Sequence, residues 1–131
     1  MRLDWTVRGL TLRTPLRISR SVMARRDAVQ VVVEHDGVRG HGEVVTSVHY
    51  GLDVERITLL LKEFAFLLND FPSPEALLAD LPGLDFPPGV LAALDTALHD
   101  VVGQRLGVPV HALAGVPLWT DVPTACTIGI T

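Results

Sequence analysis

The sequence predicts an α+β chain, a three-stranded antiparallel meander followed by a helical bundle. Two observations carry that reading. AVQVVVEH and VRGHGEVV flank Asp36-Gly37, a pair suited to a two-residue hairpin because both turn positions take φ > 0. From Asp53 onward the apolar residues recur at helical spacing, and helices following a run of strands pack behind the sheet.

Each element follows in order. LDWTVRGLTLRTPL alternates loosely, with Leu3, Trp5 and Val7 on one side, and should end as a strand at Pro15. LRISRSVMARR carries Arg17, Arg20, Arg25 and Arg26 with no clear period, which predicts a loop. In the second strand Val29, Val31 and Val33 face one way. The third strand holds GVRGHG, which is no dinucleotide fingerprint because a strand follows it rather than a helix. Its glycines fit a bulge or a close backbone approach. His41 and Glu43 share a face, with Glu43 expected to hold loop backbone.

Asp53 can cap a helix whose stripe is Ile57, Leu60, Leu61, Phe64, Leu67 and Leu68, ending at Asn69. Ser73-Pro74 supplies a cap and a first-turn proline for EALLADL. GVLAALDTALHDVVGQRLG is the clearest helix, with Leu91, Leu94, Leu98, Val101 and Val102 inward and Gly107 and Pro109 ending it. Gly103 inside it, costly by about 1 kcal/mol, marks close packing. VHALAG gives one further turn of helix. VPTACTIGI reads as a last strand built for burial, and Cys126, without an activating base, as a small buried side chain. The boundaries are 1–115 for the packed unit and 116–131 for a linker and strand.

Composition narrows the function classes. A length of 131 residues fits one domain with its own core. A net charge of −4 leaves no overall basic footprint for nucleic acid and no polybasic membrane patch. No stretch approaches the roughly 18 apolar residues of a membrane span. The single cysteine excludes an internal disulfide and suits a reducing, cytoplasmic setting. An apolar fraction of 48% and a mean hydropathy of +0.36 fit a partner surface or a rich core equally. Lys62 is the only lysine.

AALDTALHDVVGQRLGVPVHALAGV resembles the last capping-domain helix and exit segment of the enolase superfamily, in its mandelate racemase and muconate lactonizing enzyme branch. HGEVV is similar to that branch's recurring Gly-x-Gly-Glu, and RISRSVMARRDAVQVVV and TACTIGI look like the dipeptide epimerases. The resemblance spans essentially the whole chain. It implies an enolase N-terminal domain-like cap that ends in the first strand of a TIM barrel lying beyond this chain. It further implies a parent enzyme, bearing Mg²⁺, that inverts the α-carbon of a dipeptide of the L-Ala-D/L-Glu kind. Such epimerases use two opposed lysines and three acidic metal ligands on the barrel. Lys62, alone and on a capping helix, cannot supply them, so the chain is expected to be inactive by itself, with no catalytic residue and no metal ligand of its own. A barrel, in cis or in trans, is the implied partner. A cap of a cycloisomerase or o-succinylbenzoate synthase, or a non-catalytic module that complements a separate barrel, remains an alternative.

The resemblance also implies specificity loops at Ile18 to Arg26 and Thr46 to Gly51, lying over the barrel's reactive face. Arg20 is similar to an arginine that meets a substrate side-chain carboxylate, which a guanidinium binds through two parallel hydrogen bonds. Arg25 is the reserve, and on the residues alone each is a solvated loop arginine. Thr127 resembles a pocket-lining threonine or is an ordinary strand threonine. His49 and Tyr50 are contact candidates or ordinary loop residues. Asp95 and His99, one helical turn apart beside Asp100, are too few for a metal and read as a solvated polar face. Exposing Val122, Ile128 and Ile130 would cost about 1.5–3 kcal/mol each. Self-association through the barrel-facing surface or the last strand is therefore expected.

Overall fold

The Asp36-Gly37 turn sets the sheet. In a computed structural model describing residues 1–19, 21–118 and 121–126, Asp36 and Gly37 adopt φ of 51° and 78°. That doubly positive pair matches the twist of the strands it joins. Around it β2 (Ser21–His35) and β3 (Val38–Val45) pair antiparallel, from His35↔Val38 to Ala28↔Val45. β1 (Arg2–Ile18) takes the other side of β2, giving the order β1-β2-β3. The predicted meander is present.

The first hairpin is longer than the sequence suggested. β1 does not end at Pro15, and the stretch read as a loop is strand. Pairing runs from Arg2↔Glu34 to Thr11↔Arg25 and resumes at Leu16↔Met23, so residues 12–15 bulge opposite Ala24. Pro15 sits within that irregularity, where no ladder partner stands opposite it. Arg17↔Val22 and Ile18↔Ser21 then close the hairpin. Most of this distal arm is exposed on both faces. No burial imposes a period there, and the sequence shows none.

One sheet face is buried against helices. Val29, Val31 and Val33 are fully buried and Leu3 nearly so, but the stripe fades along β1, where Val7 is 45% exposed. α1 (Val54–Leu67) begins at Asp53, whose Oδ1 accepts from the Arg56 N–H at 2.7 Å, and buries Ile57, Leu60, Leu61 and Phe64. Its last turn tightens into a 3₁₀ turn that buries Leu68. α2 (Pro74–Asp80) starts at Ser73, whose hydroxyl accepts from the Ala76 N–H. α3 (Pro88–Leu106) crosses the sheet and ends at Gly107, with φ of 67°. Its inward side is Val90, Ala93, Leu94, Ala97, Leu98, Val101 and Val102, while Leu91 is half-buried.

The glycines of β3 meet this helix. A Cβ on Gly40 would run into the Ala97 carbonyl, and one on Gly42 into the Ala93 carbonyl. Gly103 likewise lies against α4 (Val110–Leu113) and its approach, where a Cβ would come within 2.9 Å of the Val108 carbonyl. Arg105 then ties separate parts together, its guanidinium reaching Asp36 at 3.0 Å and Glu75 at 3.3 Å.

The predicted last strand is corrected in its described part. Residues 121–126 form no strand, Val122 is 68% exposed, and Cys126 is exposed rather than buried. Among the described residues no strand lies against this segment, and apolar composition alone does not make a ladder. Thr127, Ile128 and Ile130 lie outside the described residues.

Candidate functional site

Two of the sequence-predicted contact regions spring from one end of the sheet. The arm leaves the helical layer near Asp27, and β3 delivers the following turn beside it, because Ala28 pairs with Val45. The Thr46 N–H donates to the Asp27 carbonyl at 2.9 Å, fastening that turn to the root of the arm. Paired backbone bonds between Ser47 and Leu52, at 2.7 and 2.9 Å, close the turn, and Gly51 supplies its positive φ of 61°. Val48 and Tyr50 project into solvent. His49 stacks edge-to-face on Tyr50 with ring centres 4.8 Å apart.

The arm itself is cationic. Arg8, Arg13, Arg17, Arg20, Arg25 and Arg26 lie between residues 8 and 26, and no Asp or Glu lies among them. The chain as a whole is acidic at −4, so positive charge is concentrated in the arm and the helical layer is left negative. Arg25 stands on β2 rather than on a loop tip. Its guanidinium pairs with Asp27 at 3.0 Å and covers Gly9, which commits it to the arm's root. Arg20 and Thr127 lie outside the described residues. Lys62 is exposed on α1, the helix to which the sequence assigned it.

A separate open cleft of about 450 Å³ is lined by His41, Asp95, Thr96, His99, Asp100 and Val110. Sequence reading treated Asp95, His99 and Asp100 as a solvated face, and for Asp100 that is corrected. Asp100 Oδ2 accepts from the His41 N–H at 2.9 Å, and its Oδ1 accepts from Gln104 Nε2 at 2.8 Å. Gln104 Nε2 also donates to the Arg39 carbonyl at 2.8 Å. β3 is an edge strand, and these two side chains occupy backbone groups that an edge would otherwise offer to another chain. The spacing of Asp100 and Gln104 by one helical turn was the available signal. His99 turns away, with Nδ1 3.3 Å from Asp95 Oδ2. Glu43 is exposed on the solvent face of β3, across from Gln30, and among the described residues its side chain makes no bond to loop backbone.

These contacts make stability fall in acid. Burial raises the Asp100 carboxyl, but the hydrogen bonds from Gln104 and His41 outweigh it and the net shift is downward from 3.8. Glu75 is lowered from 4.5 by its own backbone N–H, by Ser73 and by Arg105. A depressed folded-state pKa stabilises above the unfolded value and is lost as pH falls through the folded one. The urea midpoint is therefore expected to hold at neutral pH and to fall steadily below about pH 4.5. Asp100→Asn should lower the midpoint at pH 7 and flatten that acid decline. An acid decline as steep in Asp100→Asn as in the parent would remove Asp100 from this account.

Solved structures share this arrangement. A dipeptide epimerase from Methylococcus capsulatus, complexed with Mg and L-Arg-D-Lys, superposes with a TM-score of 0.80 at 30% identity, over 100% of this chain and 39% of that one. A protein of the mandelate racemase/muconate lactonizing enzyme type from Roseovarius nubinhibens, complexed with magnesium, gives 0.79 at 25%, over 99% and 37%. An L-Ala-D/L-Glu epimerase of Bacteroides thetaiotaomicron is 36% identical over 106 residues, 78% of this chain and 27% of the relative. The chain belongs to the enolase superfamily, as its N-terminal capping domain. No family model matches the sequence. This capping domain spans only 27% of that curated relative and 36% of an L-Ala-D/L-amino acid epimerase from Maribacter. Among its described residues no three His, Cys, Asp or Glu side chains converge on a possible metal position. The Mg²⁺ of the related enzymes therefore has no ligand set in the described part of the capping domain. No helix there is long and apolar enough to cross a membrane.

Proposed function

We propose that this chain is the capping portion of a Mg²⁺-dependent dipeptide epimerase whose preferred substrate carries an anionic side chain, and that it is inactive without its barrel. The observation that carries the substrate charge is the arm, where Arg8, Arg13, Arg17, Arg20, Arg25 and Arg26 occur without an acid. Lids of this kind shape specificity from above the reacting atoms. A guanidinium held there meets a carboxylate through two parallel bonds and repels a cationic side chain. Relatives differ on this point, being named for substrates as unlike as L-Ala-D/L-Glu, hydrophobic dipeptides and L-Lys-D/L-Arg. Substrate charge thus differs among the relatives, and the arm is where this chain concentrates its own positive charge.

Within the arm Arg20 is the preferred contact. In the sequence it lies between Ile18 and Ser21, which pair with each other, whereas Arg25 is already paired with Asp27. His49, Tyr50 and Thr127 complete the proposed contact set. The barrel supplies the proton-transferring lysines and the metal, and the cap's residues bind, orient and exclude water.

The test is solvent-deuterium exchange at the dipeptide α-carbon by the full-length protein. Glu-containing dipeptides are expected to be preferred over those with Leu or Lys. Arg20→Ala should weaken that preference by about 1.5–3 kcal/mol, the range of a hydrogen bond to a charged group. An unchanged Glu preference would refute the role of Arg20. Exchange by the 131-residue chain alone would refute the need for a barrel.

A further inference from the structure

The row of side chains buried beneath the helices continues beyond them. Val33, Val31 and Val29 face inward on β2, and by alternation Asp27 and Arg25 extend that row into the arm. On β1 the matching row is Leu3, Trp5, Val7 and Gly9, opposite Val33, Val31, Val29 and Asp27. At Gly9 the row has a gap, and the Arg25 guanidinium lies in it. A Cβ there would stand 2.8 Å from Arg25 Cζ. Asp27 Oδ1 accepts from Arg25 Nη2 at 3.0 Å, which holds the guanidinium back over β1.

Asp27 acts at two points. Its carboxylate braces Arg25 across the two strands of the arm, and its carbonyl accepts the Thr46 N–H at the start of the Ser47–Leu52 turn. Beyond this point most of the arm is exposed on both faces. A two-stranded ribbon with no packed face is marginal in water and free to vary its twist. The angle at which the arm leaves the sheet is therefore set at its root. The Arg25–Asp27 pair adds little stability, because both groups are well solvated. Its effect is on direction.

We propose that Asp27 is a positioning residue that joins arm and turn, so that the segment carrying Arg20 and the segment carrying His49 and Tyr50 meet the dipeptide in one fixed relation. This role rests on the substrate reading above. It makes Arg25 a brace rather than a second anion contact. It also gives Gly9 a purpose, since its φ is not left-handed and the room it leaves is filled by the guanidinium.

Charge and position act in opposite directions at Asp27. Removing a carboxylate near the site favours an anionic substrate, whereas losing the brace misplaces the guanidinium that must meet it. In the full-length protein, Asp27→Asn is expected to raise KM for a Glu-containing dipeptide about tenfold at unchanged kcat. Gly9→Val keeps every charge, suits a strand and fills the gap, and it should raise the same KM alike. Asp27→Glu, which still reaches Arg25, should stay within about twofold of the parent. A Leu-containing dipeptide offers the arm no side-chain carboxylate, so its KM should change less than about twofold in all three. Amide hydrogen exchange gives a readout independent of substrate. Residues 12–26 and 46–52 should both exchange faster in Asp27→Asn and Gly9→Val. A Glu KM that falls or stays level in Asp27→Asn, a parental KM in Gly9→Val, no recovery in Asp27→Glu, an equal rise for Leu, or unchanged exchange in either segment would each overturn the proposal. A parent without Glu preference would instead overturn the substrate reading, and the exchange result would then decide the role of Asp27 by itself.

Discussion

Gly42→Ala is expected to cost about 3 kcal/mol or more of folding stability. The added methyl would meet the Ala93 carbonyl and its carbon, which are helix backbone and cannot rotate away. Relief requires β3 and α3 to part, which opens the closest seam between sheet and helix. Gly40→Ala should behave alike against Ala97 and Val101. Gly83→Ala is the control, because nothing lies within 4 Å of a Cβ there and its φ is not left-handed. Urea unfolding measures all three, with the midpoint falling sharply in the first two and little in the third. A Gly42→Ala protein within about 1 kcal/mol of the parent would show that the seam tolerates a methyl and that Gly42 serves another purpose.

That seam was partly legible in the sequence. Two residues of strand advance about 6.7 Å and four residues of helix about 6 Å. Gly40-x-Gly42 on β3 therefore keeps step with Ala93-x-x-x-Ala97 on α3, small residue against small residue. Reading the two motifs separately gave a close backbone approach and a helix stripe without revealing that each supplies the other's partner. The N-caps Asp53 and Ser73, the Asp36-Gly37 turn and the Gly107 stop were legible for a local reason, since each rests on one residue bonding its near neighbours.

The misreadings share the opposite cause. The arm pairs two strands that bury neither face, so its residues carry no burial period and resemble a loop. Pro15 reads as a strand end because a bulge on its own strand is invisible without the register of β2. Cys126 and Val122 are apolar, and composition was taken for burial although a strand needs neighbours. Asp100 was read as solvated because an edge strand's unpaired backbone cannot be seen from the helix that covers it. For the candidate site, the two segments that the sequence led us to expect as contact loops share one sheet end, and Arg25 there is already paired with Asp27.

Phe64→Ala is expected to remove about 3–5 kcal/mol, a large share of the roughly 5–15 kcal/mol that holds a domain of this size. Phe64 is fully buried and meets Phe86 edge-to-face at 5.5 Å and 78°. The ring thus links α1 to the segment just before α3. Truncation leaves a cavity at the junction of two helices and the sheet, and Phe64→Leu, which fills most of it, should cost far less. A double-mutant cycle with Phe86→Ala should return a coupling of about 0.5–1.5 kcal/mol, the worth of an aromatic pair beyond its buried area. A Phe64→Ala protein as stable as Phe64→Leu would mean that the core closes over the gap and that α1 is held by other contacts.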